Sequence, residues 1–234
     1  MNIFDYGIIS FFNQFTRRSI QFDNLILLVS ENVLLKGGVI VALLWYAWFK
    51  EDNLKVVQRN RQHILVTVLA SSVAIVGARL LALLLPFRLR PLHNPEIILQ
   101  FPLKKEFLEG WSSFPSDHAV LFFTLATGLF FISRVLGKIA TAHAIFVICL
   151  PRIYLGLHYP TDILAGALIG IGVSLWVNRR KISSTISKLP MNLLSKNPSL
   201  FYSCFFLLLF EIAEMFNSLR SIAKLIFLLR SSFA

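Results

Sequence analysis

Three stretches of this chain set arginine, histidine and aspartate at spacings that suit chemistry on a phosphate. The first holds Arg79, Arg88 and Arg90 followed by Pro91; the second runs from Trp111 through Ser113, Pro115, Ser116 and Asp117 to His118; the third holds Pro151, Arg152, His158, Tyr159, Pro160 and Asp162. Guanidinium groups bind phosphate bidentately and stay charged. Arg88 alone could be a side chain reaching for lipid headgroups, but Arg79 lies inside an apolar run, where a guanidinium without an anion is costly. Pro115 suits the first position of a helix. Ser116 and Asp117 then fall in its first turn, where backbone N–H groups lack intrahelical partners and can hold phosphate. A simple helix cap with an unrelated histidine would explain this stretch in isolation; the three stretches together argue against that. Tyr159 precedes a proline and is pushed out of the helical region, so His158 falls in a turn and Asp162 opens the next helix, able to point back at it. A carboxylate on one ring nitrogen fixes the tautomer and leaves the other nitrogen free to attack.

Arg152-x5-His158-x3-Asp162, Pro115-Ser116-x-His118 and Arg90-Pro91 resemble the three signature motifs of the type 2 phosphatidic acid phosphatase superfamily, over residues 79–162. The resemblance implies an all-helical core and a phosphohistidine mechanism that needs no metal or other cofactor. His158 would be the nucleophile, with Asp162 orienting it and His118 protonating the leaving oxygen. Arg79, Arg90 and Arg152, with the helix start at Ser116 and Asp117, would bind the phosphate. Arg88 is the alternative to Arg79. Three positions depart from the family pattern. The family's lysine seven residues before the Arg of Arg-Pro is Leu83 here, and Arg79, one helical turn back on roughly the same face, is the expected replacement. A carboxylate, Asp117, stands where the family has glycine, so it should turn away from the anion or pair with an arginine. Pro151 stands where a serine usually precedes the third-motif arginine.

The elements that must position these groups are membrane helices. Of the 234 residues 56% are hydrophobic and 15% charged, and the mean hydropathy is +0.69, too apolar for a soluble domain of this size. Segments of about 17 to 25 apolar residues cross a bilayer. Runs of that kind at 33–49, 63–85, 115–132, 139–152 and 162–177 predict about five crossings in an all-α polytopic bundle. Residues 1–32 mix Phe and Ile with Asp5, Arg17, Arg18 and Asp23 and read as an interfacial segment without a cleaved signal peptide. Residues 1–182 form the membrane phosphatase domain in this reading. Residues 183–234 form a linker and a membrane-associated appendage, in which the run at 200–210 is either a sixth crossing or a surface helix. Gly166 and Gly170 are a small-xxx-small pair suited to close helix packing.

The net charge of +11 does not indicate nucleic acid, because the basic residues cluster in short connections between apolar runs. Lys50, Lys55, Arg59 and Arg61, then Arg134 and Lys138, then Arg179, Arg180 and Lys181 predict three cytoplasmic connections. The long loop at 87–114, which also carries Lys104 and Lys105, and the turn at 152–161 then face outward with all three motifs. Cys149 and Cys204 lie in apolar stretches and show no disulfide or metal pattern. His63, His93 and His143 are expected to be structural or interfacial, the first and last near cytoplasmic ends of spans. The expected substrate is a lipid phosphate, undecaprenyl diphosphate or a relative of it, at the extracytoplasmic face of the cell membrane. A phosphotransferase on the same scaffold and a non-catalytic binder of anionic lipid are the alternatives, and oligomeric state is not encoded legibly.

Overall fold

The computed structural model describes residues 2–99, 108–222 and 225, and all regular structure among them is helical. Lys104, Lys105, Lys224 and Arg230 lie outside the described residues. Ten α-helices follow in order: α1 (Ile3–Asn13), α2 (Ile20–Glu31), α3 (Val39–Phe49), α4 (Leu54–Leu84), α5 (Asp117–Phe130), α6 (Arg134–His143), α7 (Leu150–Tyr154), α8 (Pro160–Val177), α9 (Arg180–Lys196) and α10 (Pro198–Ala213). Wider π-wound turns join α2 to α3 at Leu34–Gly38 and α6 to α7 at Ala144–Cys149.

Helix α4, the continuous stretch Arg134–Tyr154 and α8 are each long and apolar enough to cross a membrane, and α2 with α3 adds a fourth candidate bent by 63°. The chain is therefore a multi-pass membrane protein. The expected run at 115–132 is shorter in the structure, as α5. Ser116 caps its start and Phe131 its end, leaving 14 residues, about 21 Å at 1.5 Å per residue. That is short of the ~30 Å hydrocarbon core. Helix α5 can be short because it sits in the middle, packed against α4, α6 and α8, with Ala119, Val120, Leu121, Phe122, Leu125 and Leu129 fully buried.

Gly166 and Gly170 bring α8 onto α5: a methyl group at either would meet a backbone oxygen at 2.5 Å, that of Ser116 or of Val120. This contact sets the depth of the α5 N-terminus against the start of α8. The C-terminal part is built into the bundle rather than hung from it. Helix α9 packs along α4. Helix α10 lies antiparallel to α3, with Phe201 stacked on Trp48 at 5.5 Å near one end and Ala213 against Gly37 at the other. Phe201, Phe205, Leu209 and Ile212 are core residues. At the end of α10, Met215 and Phe216 adopt left-handed backbone (φ 55° and 59°) and turn the chain back across the same end of the bundle. The N-terminal helices keep the exposed apolar side chains expected at an interface, Ile3, Phe4, Phe11 and Ile20 among them, yet bury Asp5 and Asp23.

Candidate active site

The end of α4, the start of α5, α7 and the start of α8 meet around a cavity of about 350 Å³ lined by Arg79, Arg90, Asp117, His118, Arg152 and His158, together with Lys36 and Arg220. Each side chain is aimed by a local device. Gly156, at φ +67°, ends the turn after α7 as glycine often does beyond a helix C-terminus. The following N–H groups of Leu157 and His158 fold back onto the carbonyl of Arg152. His158, only 3% exposed, thereby faces inward.

Its Nδ1 lies 2.9 Å from the carbonyl oxygen of Ser113. A carbonyl can only accept, so Nδ1 carries the proton and Nε2 keeps its lone pair. Nε2 lies 3.3 Å from a guanidinium nitrogen of Arg90. The carboxylate of Asp162 is 3.8 Å from Nδ1, beyond hydrogen-bond range. Its own bonds go to the Ser113 hydroxyl, to the backbone N–H of Tyr159 at 2.8 Å and to Arg88. Asp162 thus faces His158 at ion-pair distance and also holds it through a relay, in which Asp162 fixes Ser113 and Ser113 fixes the imidazole. Burial pushes the His158 ring below the ordinary histidine value; the Asp162 carboxylate opposes this and Arg90 adds to it. A neutral imidazole with a free Nε2 follows.

Arg90 is 7% exposed and spans the loop: it donates to the carbonyls of Leu157 (2.6 Å), Trp111 (3.2 Å) and Ser112 (3.3 Å). Burial lowers its pKa, opposed by Asp117 and Asp162, and arginine remains charged through such a shift. Arg152 donates to the carbonyls of Ile148 at 2.9 Å and Ser30 at 3.4 Å. His118 points its Nδ1 at Asp117, 2.8 Å away, so its Nε2 is the nitrogen available to a substrate.

Arg79 and Asp117 line the cavity as a pair, whereas Ser116 and Arg88 do not line it. The anion that Arg79 needs inside its apolar run is supplied by Asp117, with which it forms an ion pair, and the ring of Trp111 lies 5.1 Å away. The Asp117 carboxylate pairs with an arginine, one of the two arrangements expected of it, and joins Arg79 to His118. The Ser116 hydroxyl caps α5 by accepting from Ala119 at 3.4 Å, and its N–H donates to the carbonyl of Asp162 at 3.2 Å, so it lies behind the cavity wall. Arg88 is engaged away from the cavity with Asp5 at 2.8 Å and with Asp162, over the ring of Tyr159. Sequence reasoning missed Ser113 as the partner of His158, Asp5 as the anchor of Arg88, and Lys36 and Arg220 as cavity residues. His63 bonds Asn178 at 2.7 Å. His143 reaches the carbonyl of Leu35 at 2.8 Å, which holds the π-wound turn.

Asp117, His118 and His158 bring ligand atoms within 4.8 Å of one another, close enough to chelate a cation. The surrounding lysine and arginines make the potential positive and favour an anion there instead.

The family model of the PAP2 superfamily matches residues 62–183, just over half of the chain. The chain belongs to the PAP2 superfamily. That match takes in every motif residue of the cavity from Arg79 to Asp162 and leaves Lys36 and Arg220 outside it. A 66-residue stretch is 41% identical to a protein described as bacitracin transport permease protein BcrC of Bacillus licheniformis, covering 28% of this chain and 32% of that one. Another of 59 residues is 39% identical to a putative undecaprenyl-diphosphatase, YbjG of Escherichia coli K12, covering 25% of this chain and 30% of that one. The chain thus spans about a third of the length of the curated relatives it matches. No solved structure matches it significantly.

Proposed function

We propose that this PAP2 superfamily member is a hydrolase that removes phosphate from a membrane lipid phosphate or diphosphate at the extracytoplasmic face, through a phosphohistidine on His158. The observation that carries the reading is the buried His158 with its Nδ1 pinned by a carbonyl and its Nε2 beside Arg90, in one cavity with His118 and Arg152. In the proposed reaction Nε2 attacks phosphorus while the bond to the leaving oxygen breaks, and that oxygen takes a proton from His118. Water then attacks the phosphohistidine, gives its proton back to His118, and releases phosphate from Nε2. Arg90 and Arg152 offset the charge on the oxygens, and Arg79 can share its charge between Asp117 and the substrate. A metal ion has no step in this scheme. The name of the YbjG relative supports a polyprenyl diphosphate as the lipid. The basic connections at 50–62, at Arg134 and Lys138 and at Arg179 to Lys181 lie at the helix ends away from the cavity, which supports an outward site.

The test is trapping of label from a radiolabelled lipid phosphate in detergent. Wild type should release inorganic phosphate and carry transient label, and His158→Ala should do neither. His118→Ala should lose roughly 10²- to 10⁴-fold on the lipid but much less on p-nitrophenyl phosphate, whose leaving group needs no proton. Label retained in His158→Ala would remove the nucleophile assignment, and label passed to an organic acceptor would make the chain a phosphotransferase.

A further inference from the structure

The lysine missing at Leu83 leaves a gap in the family's phosphate-binding set, and Arg79, the nearest substitute along the sequence, already has its carboxylate in Asp117. The cavity contains another lysine. Lys36 comes from the π-wound turn Leu34–Gly38 in the break between α2 and α3, outside the stretch matched by the family model. It is 6% exposed, and it lines the same cavity as Arg90, Arg152, His118 and His158.

The other cavity cations have protein acceptors: Asp117 for Arg79, carbonyls for Arg90, Arg152 and Arg220. The backbone N–H of Lys36 donates to Asn32 at 3.0 Å, but its ammonium has no hydrogen bond or ion pair with the described residues. The ammonium opens on the cavity and not on protein, and a charge held at membrane depth without a protein partner is expensive. A fold that keeps one has an anion to offset it. The turn is also held in place: His143 donates from Nε2 to the carbonyl of Leu35 on one side, and Ala213 of α10 packs on Gly37 so closely that no side chain would fit there.

The charge of the whole lining points the same way. Lys36, Arg79, Arg90, Arg152 and Arg220 face Glu31 and Asp117, a surplus of three positive charges before any ligand enters. A phosphate monoester carries at most two negative charges, and a cavity of about 350 Å³ has room for more than one phosphate.

We propose that Lys36 is a substrate-binding residue that holds the second, non-reacting phosphate of a diphosphate ester, so that the site prefers diphosphates to monophosphates. This rests on the phosphatase reading above and names its substrate class. Arg220, on the tail that crosses the cavity, is on the rim of the same subsite.

The experiment uses the full chain in detergent and two inorganic probes, diphosphate and orthophosphate, so that binding is measured apart from turnover. Wild type should bind diphosphate more tightly. Lys36→Met should weaken diphosphate at least about tenfold, the loss of one charge-assisted contact, and orthophosphate by less than about threefold. Lys36→Arg should restore most of the difference. Without ligand, Lys36→Met should melt at or above wild type, because an unpaired charge has been replaced by a side chain of similar length; at one diphosphate concentration wild type and Lys36→Arg should gain more in Tm than Lys36→Met. Unchanged diphosphate binding in Lys36→Met, or equal weakening of both probes, overturns the subsite. If wild type hydrolyses no lipid phosphate but its diphosphate binding still depends on Lys36, the hydrolase reading fails while the subsite stands. Turnover of a lipid diphosphate that is the same in Lys36→Met and wild type is the reverse case.

Discussion

His158 shows how single residues are tuned here. Attack on phosphorus needs a neutral imidazole, and burial holds its pKa below the ordinary value of about 6.5 with Arg90 adding to the effect. The sign follows: kcat/KM should rise with pH through a point below about 6.5, since protonation at lower pH removes the lone pair. Asp162 raises the His158 pKa through its charge. Asp162→Asn keeps an acceptor for the Ser113 hydroxyl but loses that charge, so its acid limb should move to still lower pH. Measured on one substrate in both proteins, the displacement is independent of the substrate's own ionisation. A limb that moves upward, or stays in place, would show that Asp162 acts on His158 only through geometry. This relay was only half legible in the sequence. The spacing of His158 and Asp162 announced that the two belong together, but the intermediary, the backbone carbonyl of Ser113, is 45 residues away from His158 and carries no side-chain signature.

At the level of helices, the site depends on how deep α5 sits beside α8. The carbonyl of Ser116, the N-cap of α5, lies where a Cβ at Gly166 would be, 2.5 Å away. Gly166→Val must therefore push the helices apart or unseat the cap, and with it His118 two residues on. Overpacking of this kind costs about 1–3 kcal/mol, and it should lower both Tm and turnover. Gly172 is the control, because nothing lies within 4 Å of a Cβ there; Gly172→Ala should leave Tm and activity unchanged or slightly improved. Equal behaviour of the two variants would contradict this account of the helix contact. The small-xxx-small spacing in α8 was visible in the sequence as a packing motif. That its partner is the helix start carrying His118 was not, because a glycine pair names a close approach without naming the surface approached.

Across the whole molecule, all the cavity residues gather at one end of the bundle and the three basic connections at the other, so orientation decides which compartment supplies the substrate. Retention of the basic connections in the cytoplasm predicts an outward cavity. Single cysteines at Glu109 and Asn53, both exposed, test this in a background where the exposed Cys204 is replaced by serine. A reagent that cannot cross the membrane should label position 109 in intact cells and position 53 only after lysis. Preferential labelling of position 53 in intact cells would invert the topology and move the substrate to the cytoplasmic leaflet.

By itself the sequence determined the all-helical membrane class, because apolar runs of spanning length allow few other solutions in a bilayer. It also determined most of the chemical set, Arg79, Arg90, Asp117, His118, Arg152 and His158, because those groups fall in short motifs at fixed spacing. Only the tertiary structure decided what each charge is bonded to. Arg79 went to Asp117 and Arg88 to Asp5 and Asp162, which removed Arg88 from the cavity and left the place of the lost lysine open. It also showed that Lys36 and the turn after α10 enter the site. Neither has a motif or a period to betray it: a lone lysine in an apolar stretch reads as a defect in a span until a bend in the helix turns it into the cavity. The length of α5 likewise depended on its neighbours, since a helix enclosed by protein need not match the thickness of the bilayer.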